Sequence, residues 1–178
     1  LQKAEQTMTL AKSRSRNRYQ FYIASLDHEM RRRRELEKDL REALARNELH
    51  LVYQPQIDYR DKRVAGVEAL LRWQHPQHGF VSPDVFIPLA EQNGSIIAIG
   101  EWVLEQSCKH LREWHDQGFI DLRMAVNLST VHLHRSELPR VVSNLMQVYR
   151  LPPNSLELEV TETGLMEDIK TAAQHLLS

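Results

Sequence analysis

The sequence predicts an α/β fold in which β-strands and α-helices alternate along most of the chain. From Leu49 onward, short apolar segments with strand periodicity alternate with amphipathic segments of helical length. Glutamate and asparagine side chains interrupt several of these apolar strands. No glycine or proline occurs before Pro55, which favours uninterrupted helix or simple strand in the N-terminal part. Regular alternation indicates parallel βα units, arranged either as a doubly wound sheet or as a (β/α) barrel.

The composition is that of an ordinary globular protein. Of the 178 residues, 42% are hydrophobic and 26% are charged. The formal net charge of −1 gives no overall attraction to nucleic acid or to a membrane surface. A single cysteine, Cys108, excludes an internal disulfide framework and fits a reducing compartment. We therefore expect this segment to lie in the cytoplasm, even if it belongs to a longer protein that is anchored to the inner membrane.

The N-terminal part of the chain has a helical, highly charged character. Residues 2–13 predict the end of a helix, and residues 18–23 alternate like a short strand. Residues 26–47 predict a charged helix with a thin apolar stripe, which is more typical of a connector or a parallel dimer contact than of a domain core. We interpret the run Arg31–Arg34 as a solvated helix face rather than a phosphate or lipid contact.

The rest of the chain predicts a regular succession of elements. The predicted strands cover residues 49–57, 64–71, 122–128 and 156–161. The predicted helices cover 82–91, 95–117, about 136–149, and 166 to the end. The first of these helices opens at Ser82-Pro83-Asp84, because proline is favoured at the first helical position. Gly118 follows the second helix as its expected C-terminal cap.

Three polar side chains occupy strand positions where apolar residues would be expected. They are Glu68, Asn127 and Glu159. Because ligands gather at the carboxyl ends of parallel strands, these two carboxylates and one amide oxygen would converge there. An all-oxygen cluster suits Mg²⁺ or Mn²⁺ rather than zinc. The alternative for each glutamate is an edge position or a salt bridge, and spacing by itself does not decide between the two.

Other candidates are weaker. Tyr53-Gln54-Pro55 ends the first predicted strand and would either hold a base or sugar or form a turn. Arg72 would sit just beyond the second strand, to grip a phosphate or to pair with a carboxylate. Cys108 is expected in the core and Ser129 at a helix cap. Two histidine pairs lack a cysteine partner and do not form a zinc motif: His75/His78 and His132/His134.

Four segments carry a family likeness. They read VYQPQID, VEALLRWQHPQHGFVSPDVFIPLAEQNGSIIAIGEWVLEQ, VNLS and LELEVTET. In this order they resemble the EAL domain family of bacterial cyclic di-GMP phosphodiesterases, named for the triad Glu68-Ala69-Leu70, and the likeness runs from about Leu36 to Ser178. The resemblance implies an α/β fold that is a partial (β/α) barrel of the EAL type, with an antiparallel first strand and an N-terminal charged linker helix. It also implies hydrolysis of cyclic di-GMP to linear pGpG with Mg²⁺ or Mn²⁺.

The resemblance implies a role for each candidate residue. Glu68 resembles the catalytic, metal-binding glutamate of the signature, and Asn127 and Glu159 resemble two further metal ligands. Gln54 and Arg72 resemble substrate contacts, the first near the nucleotide and the second at the phosphate. One more glutamate resembles the residue that steadies the following active-site loop without binding metal: Glu162. His132 stands where the family often has glutamine, and we expect it to tune a peripheral contact.

The resemblance further implies that the chain is a piece of a larger protein. Residues 1–23 are similar to the end of a GGDEF (diguanylate cyclase) domain, 24–48 would be a linker helix, and 49–178 the N-terminal half of the EAL domain. The aspartates of a two-metal site and the catalytic-base lysine would follow Ser178, so we expect the chain alone to be inactive. The implied partners are cyclic di-GMP, a second copy in a homodimer, and upstream GGDEF-like and sensory domains, without nucleic acid.

Two other functions stay open at this stage. A non-hydrolysing EAL domain would bind cyclic di-GMP as a receptor and relay it through the helix at 26–47. A degenerate domain would bind no nucleotide and would only dimerise. The three metal-ligand positions visible in this chain favour the enzyme.

Overall fold

The computed structural model describes residues 24–60, 62–133, 135 and 137–160. The predicted elements at 2–13 and 18–23, the helix from 166, and Glu162 lie outside these residues. The chain divides into two compact units, with the boundary between Lys38 and Asp39. The second unit contains the sheet and every described candidate residue.

Helices and strands alternate as predicted. The helices are α1 (Ala24–Leu40), α2 (Pro83–Asn93), α3 (Ile96–Asp116), α4 (Thr130–Leu133) and α5 (Leu138–Val148). The strands are β1 (Leu49–Asp58), β2 (Arg63–His75), β3 (Gly79–Val81), β4 (Arg123–Leu128) and β5 (Leu156–Val160). Pro83 is the first residue of α2, and Gly118 follows α3 with a φ of 102°, as expected for a glycine that ends a helix.

The described strands form one sheet in the order β1-β2-β4-β5, with β3 paired to β2. β1 runs antiparallel to β2, whereas β2, β4 and β5 are mutually parallel. Helices α2 and α3 connect β2 to β4, and helices α4 and α5 connect β4 to β5, so each parallel pair is joined by a helical crossover. The antiparallel first strand followed by parallel βα units confirms the fold that the resemblance implied.

β2 is longer than predicted. The prediction ended it at residue 71, but β1 pairs with it as far as Trp73, with His50 opposite Arg72. β3 pairs with its last residues, from Trp73 opposite Val81 to His75 opposite Gly79. Arg72 therefore lies inside the strand and not beyond its end, which corrects the prediction. β3 itself was not predicted, because three residues are too few to show a period of two.

The Tyr53-Gln54-Pro55 segment lies in the middle of β1, so the predictions of a strand end or a turn there are both wrong. β1 continues to Asp58. Pro55 is compatible with this position because β1 is an edge strand of the described sheet, and the backbone groups on its open edge need no partner strand.

α1 ends earlier than predicted, at Leu40 rather than at residue 47. The segment 41–47 forms turns, in which the Glu42 N–H bonds to the Asp39 carbonyl at 3.0 Å and Asn47 adopts a φ of 55°. Leu40 and Ala43 are buried, so this end of the expected connector contributes to a core.

The core of the second unit lies on the sheet face that carries the odd-numbered residues of β2, such as Val67 and Trp73. Trp73 is fully buried and meets Phe86 of α2 edge to face, with 5.7 Å between ring centroids. Cys108 of α3 is buried as predicted, and this burial raises the pKa of its thiol to about 11. Across the described residues, no helix has the length and apolar character needed to cross a bilayer.

Candidate active site

The predicted metal ligands lie on one face of the sheet. Glu68 is the register partner of Ala125 on β4, and Asn127 is the register partner of Glu159 on β5. Since side chains alternate along a strand, residues 68, 125, 127 and 159 point to the same side. Gln54 of β1 lies directly opposite Glu68 and shares this face. The structure therefore brings four of the predicted site residues together.

A hydrogen bond joins two of the predicted ligands. Asn127 Nδ2 donates to Glu68 Oε1 at 2.7 Å. This orientation leaves Asn127 Oδ1 and the second carboxylate oxygen of Glu68 available as acceptors. The pKa of the Glu159 carboxyl is raised, first by burial and then by the negative charges of Glu68 and Glu157. The charges of Glu68 and Glu159 thus act on each other across the strand that carries Asn127.

Glu157 is a further carboxylate on this face of the sheet that the sequence analysis missed. It is the register partner of Ala125 and lies two residues before Glu159, on the same face. The signal was present, because in LELEV the two glutamates alternate with apolar residues and must therefore share one side of the strand.

The donor set fits a hard divalent cation. Carboxylate and amide oxygens are the ligands that Mg²⁺ and Mn²⁺ prefer. A cation would also offset the repulsion from Glu68 and Glu157 that, after burial, raises the pKa of Glu159. In the described part of the chain, no three His, Cys, Asp or Glu side chains gather at one point. The candidate centre accordingly consists of two carboxylates and one amide.

A cleft of about 380 Å³ opens beside Glu68 and Asn127. It forms where β2 and β4 separate, because their parallel pairing ends at Ala69 opposite Val126. Arg72 lines this cleft, and its Nη1 donates to the Leu71 carbonyl at 2.9 Å. The cleft is thus lined by an arginine as well as by the two predicted ligands. The remaining polar residues of its wall are Glu91, Ser129 and His132.

Ser129 caps the short helix α4, as predicted. Its carbonyl accepts hydrogen bonds from the His132 and Leu133 N–H groups at 2.9 and 3.0 Å, and its Oγ accepts from the Val131 N–H at 3.3 Å. In addition, Ser129 Oγ donates to Glu91 Oε1 at 2.6 Å. The sequence could not reveal this contact, since 38 positions separate the two residues and no local pattern relates them.

His132 is a buried part of the cleft wall, and its expected effect on a peripheral contact stays a prediction. Its side chain packs on α3 at Gly100, where an added Cβ would lie 2.4 Å from His132 Nδ1. Burial lowers the pKa of His132, while Glu101 acts in the opposite direction and Arg135 in the same direction. Glycine at position 100 is therefore what allows the imidazole to approach the helix.

The Tyr53 side chain points away from the candidate centre, so Tyr53 does not contribute to the site as Gln54 does. Its hydroxyl shares a hydrogen bond with His110 Nδ1, and its ring meets Trp114 edge to face at a centroid distance of 4.8 Å. Burial, with a smaller effect from Glu113, raises the pKa of Tyr53 to about 12. Tyr53 thus anchors β1 to α3.

Known proteins are similar to this chain in sequence and in fold. The EAL domain model matches residues 37–178. The bifunctional diguanylate cyclase/cyclic di-GMP phosphodiesterase MucR of Pseudomonas aeruginosa is 44% identical over 165 residues, which cover 93% of this chain and 24% of MucR. The cyclic di-GMP phosphodiesterase NbdA of the same species is 40% identical over 159 residues, 89% of this chain and 20% of NbdA. A MucR phosphodiesterase structure in complex with cyclic di-GMP has a TM-score of 0.75 at 45% identity, and the match covers 80% of this chain and 58% of that one.

The chain spans about a quarter of the length of MucR and a fifth of the length of NbdA. The stretch matched by the family includes Gln54, Glu68, Arg72, Asn127 and Glu159. On the extent of this match and on the agreement of the fold, the chain belongs to the EAL domain family.

Proposed function

We propose that the protein containing this EAL domain hydrolyses cyclic di-GMP to linear pGpG with Mg²⁺ or Mn²⁺. The observation that carries the proposal is the meeting of Glu68, Asn127 and Glu159 beside a cleft lined by Arg72. The nucleotide in the MucR phosphodiesterase complex supports the substrate class. The similarity to MucR and NbdA supports the reaction class.

Glu68, Asn127 Oδ1 and Glu159 would hold the cation. When bound, a divalent cation polarises a phosphoryl oxygen and lowers the pKa of a coordinated water. The two carboxylates supply the negative charge that favours a doubly charged ion. The hydrogen bond from Asn127 Nδ2 to Glu68 holds the amide so that its oxygen stays free to act as a ligand.

Arg72 and Gln54 would position the substrate. Arg72 follows Glu68 by four residues on β2 and therefore lies on the same face of the strand. Its guanidinium would bind a phosphate oxygen and fix the phosphodiester beside the carboxylates. Gln54, opposite Glu68, would hydrogen-bond the nucleotide. Glu162 would steady the loop that follows β5.

The proposed protein has further domains. Residues 1–23 would end a GGDEF-like domain, 24–48 would link it to the EAL domain, and 49–178 would be the N-terminal half of that domain. The 165 residues matched in MucR, a bifunctional diguanylate cyclase and phosphodiesterase, exceed the stretch 37–178 and support a shared upstream region. We place the protein in the cytoplasm, as a homodimer.

Turnover of cyclic di-GMP by the full-length protein tests this proposal. With Mn²⁺ present, the wild type should release pGpG, and Glu68→Ala should lower the rate by about 100-fold or more because a metal ligand is lost. Glu105→Ala, which removes an exposed carboxylate of α3, is the matched control and should leave the rate unchanged. Calorimetric titration with cyclic di-GMP and Ca²⁺ accompanies the assay. Binding without pGpG formation would show a receptor, and no binding would show a structural domain.

A further inference from the structure

The hydrogen bond between Ser129 and Glu91 connects the end of β4 to α2. Its O···O distance of 2.6 Å is in the range of a hydroxyl that donates to a charged carboxylate. Both residues line the cleft that Glu68 and Asn127 also line. The contact therefore joins the helical wall of the cleft to the strand that supplies one of the proposed ligands.

The position of Glu91 is unfavourable within its own helix. Glu91 lies in the last turn of α2, where the N–H of the cap residue Gly94 bonds to its carbonyl at 3.4 Å. A carboxylate near a helix C-terminus is disfavoured by the helix dipole. Residues that break a local rule in this way are concentrated at functional sites. The local sequence does not account for this glutamate, whereas its contact with Ser129 does.

β4 loses one of its neighbours at the residue before Asn127. Pairing with β2 ends at Ala69 opposite Val126, while pairing with β5 continues to Leu128 opposite Val160. Among the described strands, the end of β4 is thus held by the sheet on its β5 side alone. Ser129 lies two residues after Asn127. Its hydrogen bond to the Glu91 carboxylate connects this end of β4 to α2.

We propose that Glu91 is a positioning residue of the metal centre: by holding Ser129 it fixes the end of β4 and keeps the Asn127 amide directed at Glu68. The inference rests on the proposed function, since it assigns a further residue to the same site. Glu91 acts through Ser129 and does not touch the cation or the reacting phosphate. Residues that orient metal ligands in this way typically change metal affinity or activity by about 10–100-fold when mutated.

The kinetic test compares Glu91→Ala, Ser129→Ala and the double variant in the full-length protein. Each single variant should raise the Mn²⁺ concentration for half-maximal turnover by about 10-fold and leave the KM for cyclic di-GMP nearly unchanged. The double variant should need no more Mn²⁺ than either single variant, because each substitution removes the same Ser129–Glu91 hydrogen bond. Glu91→Gln, which keeps an acceptor oxygen, should recover most of the loss. A raised KM with unchanged Mn²⁺ dependence would overturn the inference, because Glu91 would then contact the substrate.

A measurement without metal or substrate separates this inference from the proposed function. The ¹H–¹⁵N signals of the Asn127 side-chain amide can be assigned by their loss in Asn127→Asp. They should shift in Glu91→Ala and in Ser129→Ala, and stay in place in the control Glu105→Ala, with thermal unfolding confirming that each variant is folded. Unchanged Asn127 signals in Glu91→Ala would overturn the positioning role. Absence of pGpG from the wild type would refute hydrolysis and leave this comparison valid.

Discussion

The Asn127 side chain bonds to the Glu68 carboxylate at the point where β2 and β4 cease to pair. The distance from Nδ2 to Oε1 is 2.7 Å, and the last backbone partners are Ala69 and Val126. A side-chain contact thus continues the connection between the strands after the backbone ladder has ended. Because Glu159 is the register partner of Asn127 on the other side, the amide stands between the two carboxylates.

Replacing the amide by a carboxylate should make stability depend more strongly on metal. Asn127→Asp removes the solvent-exposed hydrogen bond to Glu68 and adds repulsion, so the metal-free protein should lose about 0.5–1.5 kcal/mol of unfolding free energy. Mn²⁺ should restore more stability to this variant than to the wild type, since the third carboxylate strengthens the site. Thermal unfolding with and without MnCl₂ measures both effects. The same change at an exposed position of α5, Asn144→Asp, is the control and should show neither.

The raised pKa of Glu159 predicts a pH-dependent stability. In the metal-free protein its carboxyl keeps the proton to a higher pH than in the unfolded chain, because of burial and of the charges of Glu68 and Glu157. The contribution of this group is fully present below its unfolded pKa and is lost as the pH rises through its folded pKa. Denaturant unfolding measured as the pH rises from about 4, the ordinary pKa of a glutamate, should show this decline, and Glu159→Gln should reduce it. The same decline in Glu159→Gln and in wild type would contradict the assignment.

Mn²⁺ affinity should also depend on the ionisation of Glu159, but it should rise with pH, whereas the stability of the metal-free protein falls. A cation competes with the proton on Glu159, so Mn²⁺ affinity should increase as the pH rises through the raised pKa of this carboxyl. Calorimetric titration with Mn²⁺ at a series of pH values measures the dependence. Glu105→Gln should reproduce the wild-type profile, and an affinity that is flat over this range would contradict the participation of Glu159.

Tyr53 should matter for stability and not for the metal centre. Tyr53→Phe keeps the ring against Trp114 and removes the hydrogen bond to His110, at a cost of about 1 kcal/mol in unfolding free energy. Tyr59→Phe is the matched control, because Tyr59 is 87% exposed and should tolerate the same change. Mn²⁺ affinity should be equal in both variants. A loss of Mn²⁺ affinity in Tyr53→Phe would contradict the placement of this residue on the other side of β1.

Gly100 should be intolerant of even one added carbon. An alanine Cβ would approach His132 Nδ1 to 2.4 Å, and overpacking of this kind costs about 1–3 kcal/mol. Gly100→Ala should therefore lower the denaturation midpoint. The same substitution should cost less in a His132→Ala background, where the obstructing ring is absent. Equal costs in the two backgrounds would show that His132 is not the obstacle.

The fold could be predicted from the sequence wherever periodicity extends over several residues. The alternation of β1, β2, β4 and β5 with helices is visible because each element is long enough to show its repeat. β3 is too short for this, and Arg72 lies inside β2 because β1 pairs with β2 as far as Leu49 opposite Trp73. The early end of α1 depends on turns at residues 41–47, where Asn47 adopts a left-handed φ in a stretch without glycine.

The sequence predicted the candidate ligands of the site, but it did not predict the contacts that hold the surrounding residues in place. Glu68, Asn127 and Glu159 stand out in the sequence because polar residues are unusual in otherwise apolar strand segments. The bond of Ser129 to Glu91 and the packing of His132 on Gly100 join residues that lie 38 and 32 positions apart, so their partners emerge only when the chain is folded. Glu157 was missed although the sequence could have predicted it, since the alternation in LELEV places it on the same face as Glu159.

A crystal of the full-length protein soaked in MnCl₂, with diffraction recorded at the manganese absorption edge, tests the central claim most directly. We expect an anomalous peak about 2.0–2.3 Å from a Glu68 oxygen, from Asn127 Oδ1 and from a Glu159 oxygen. In Glu68→Gln the peak should weaken strongly at this position. A manganese ion bound elsewhere, or no peak between these three side chains in the wild type, would contradict the account.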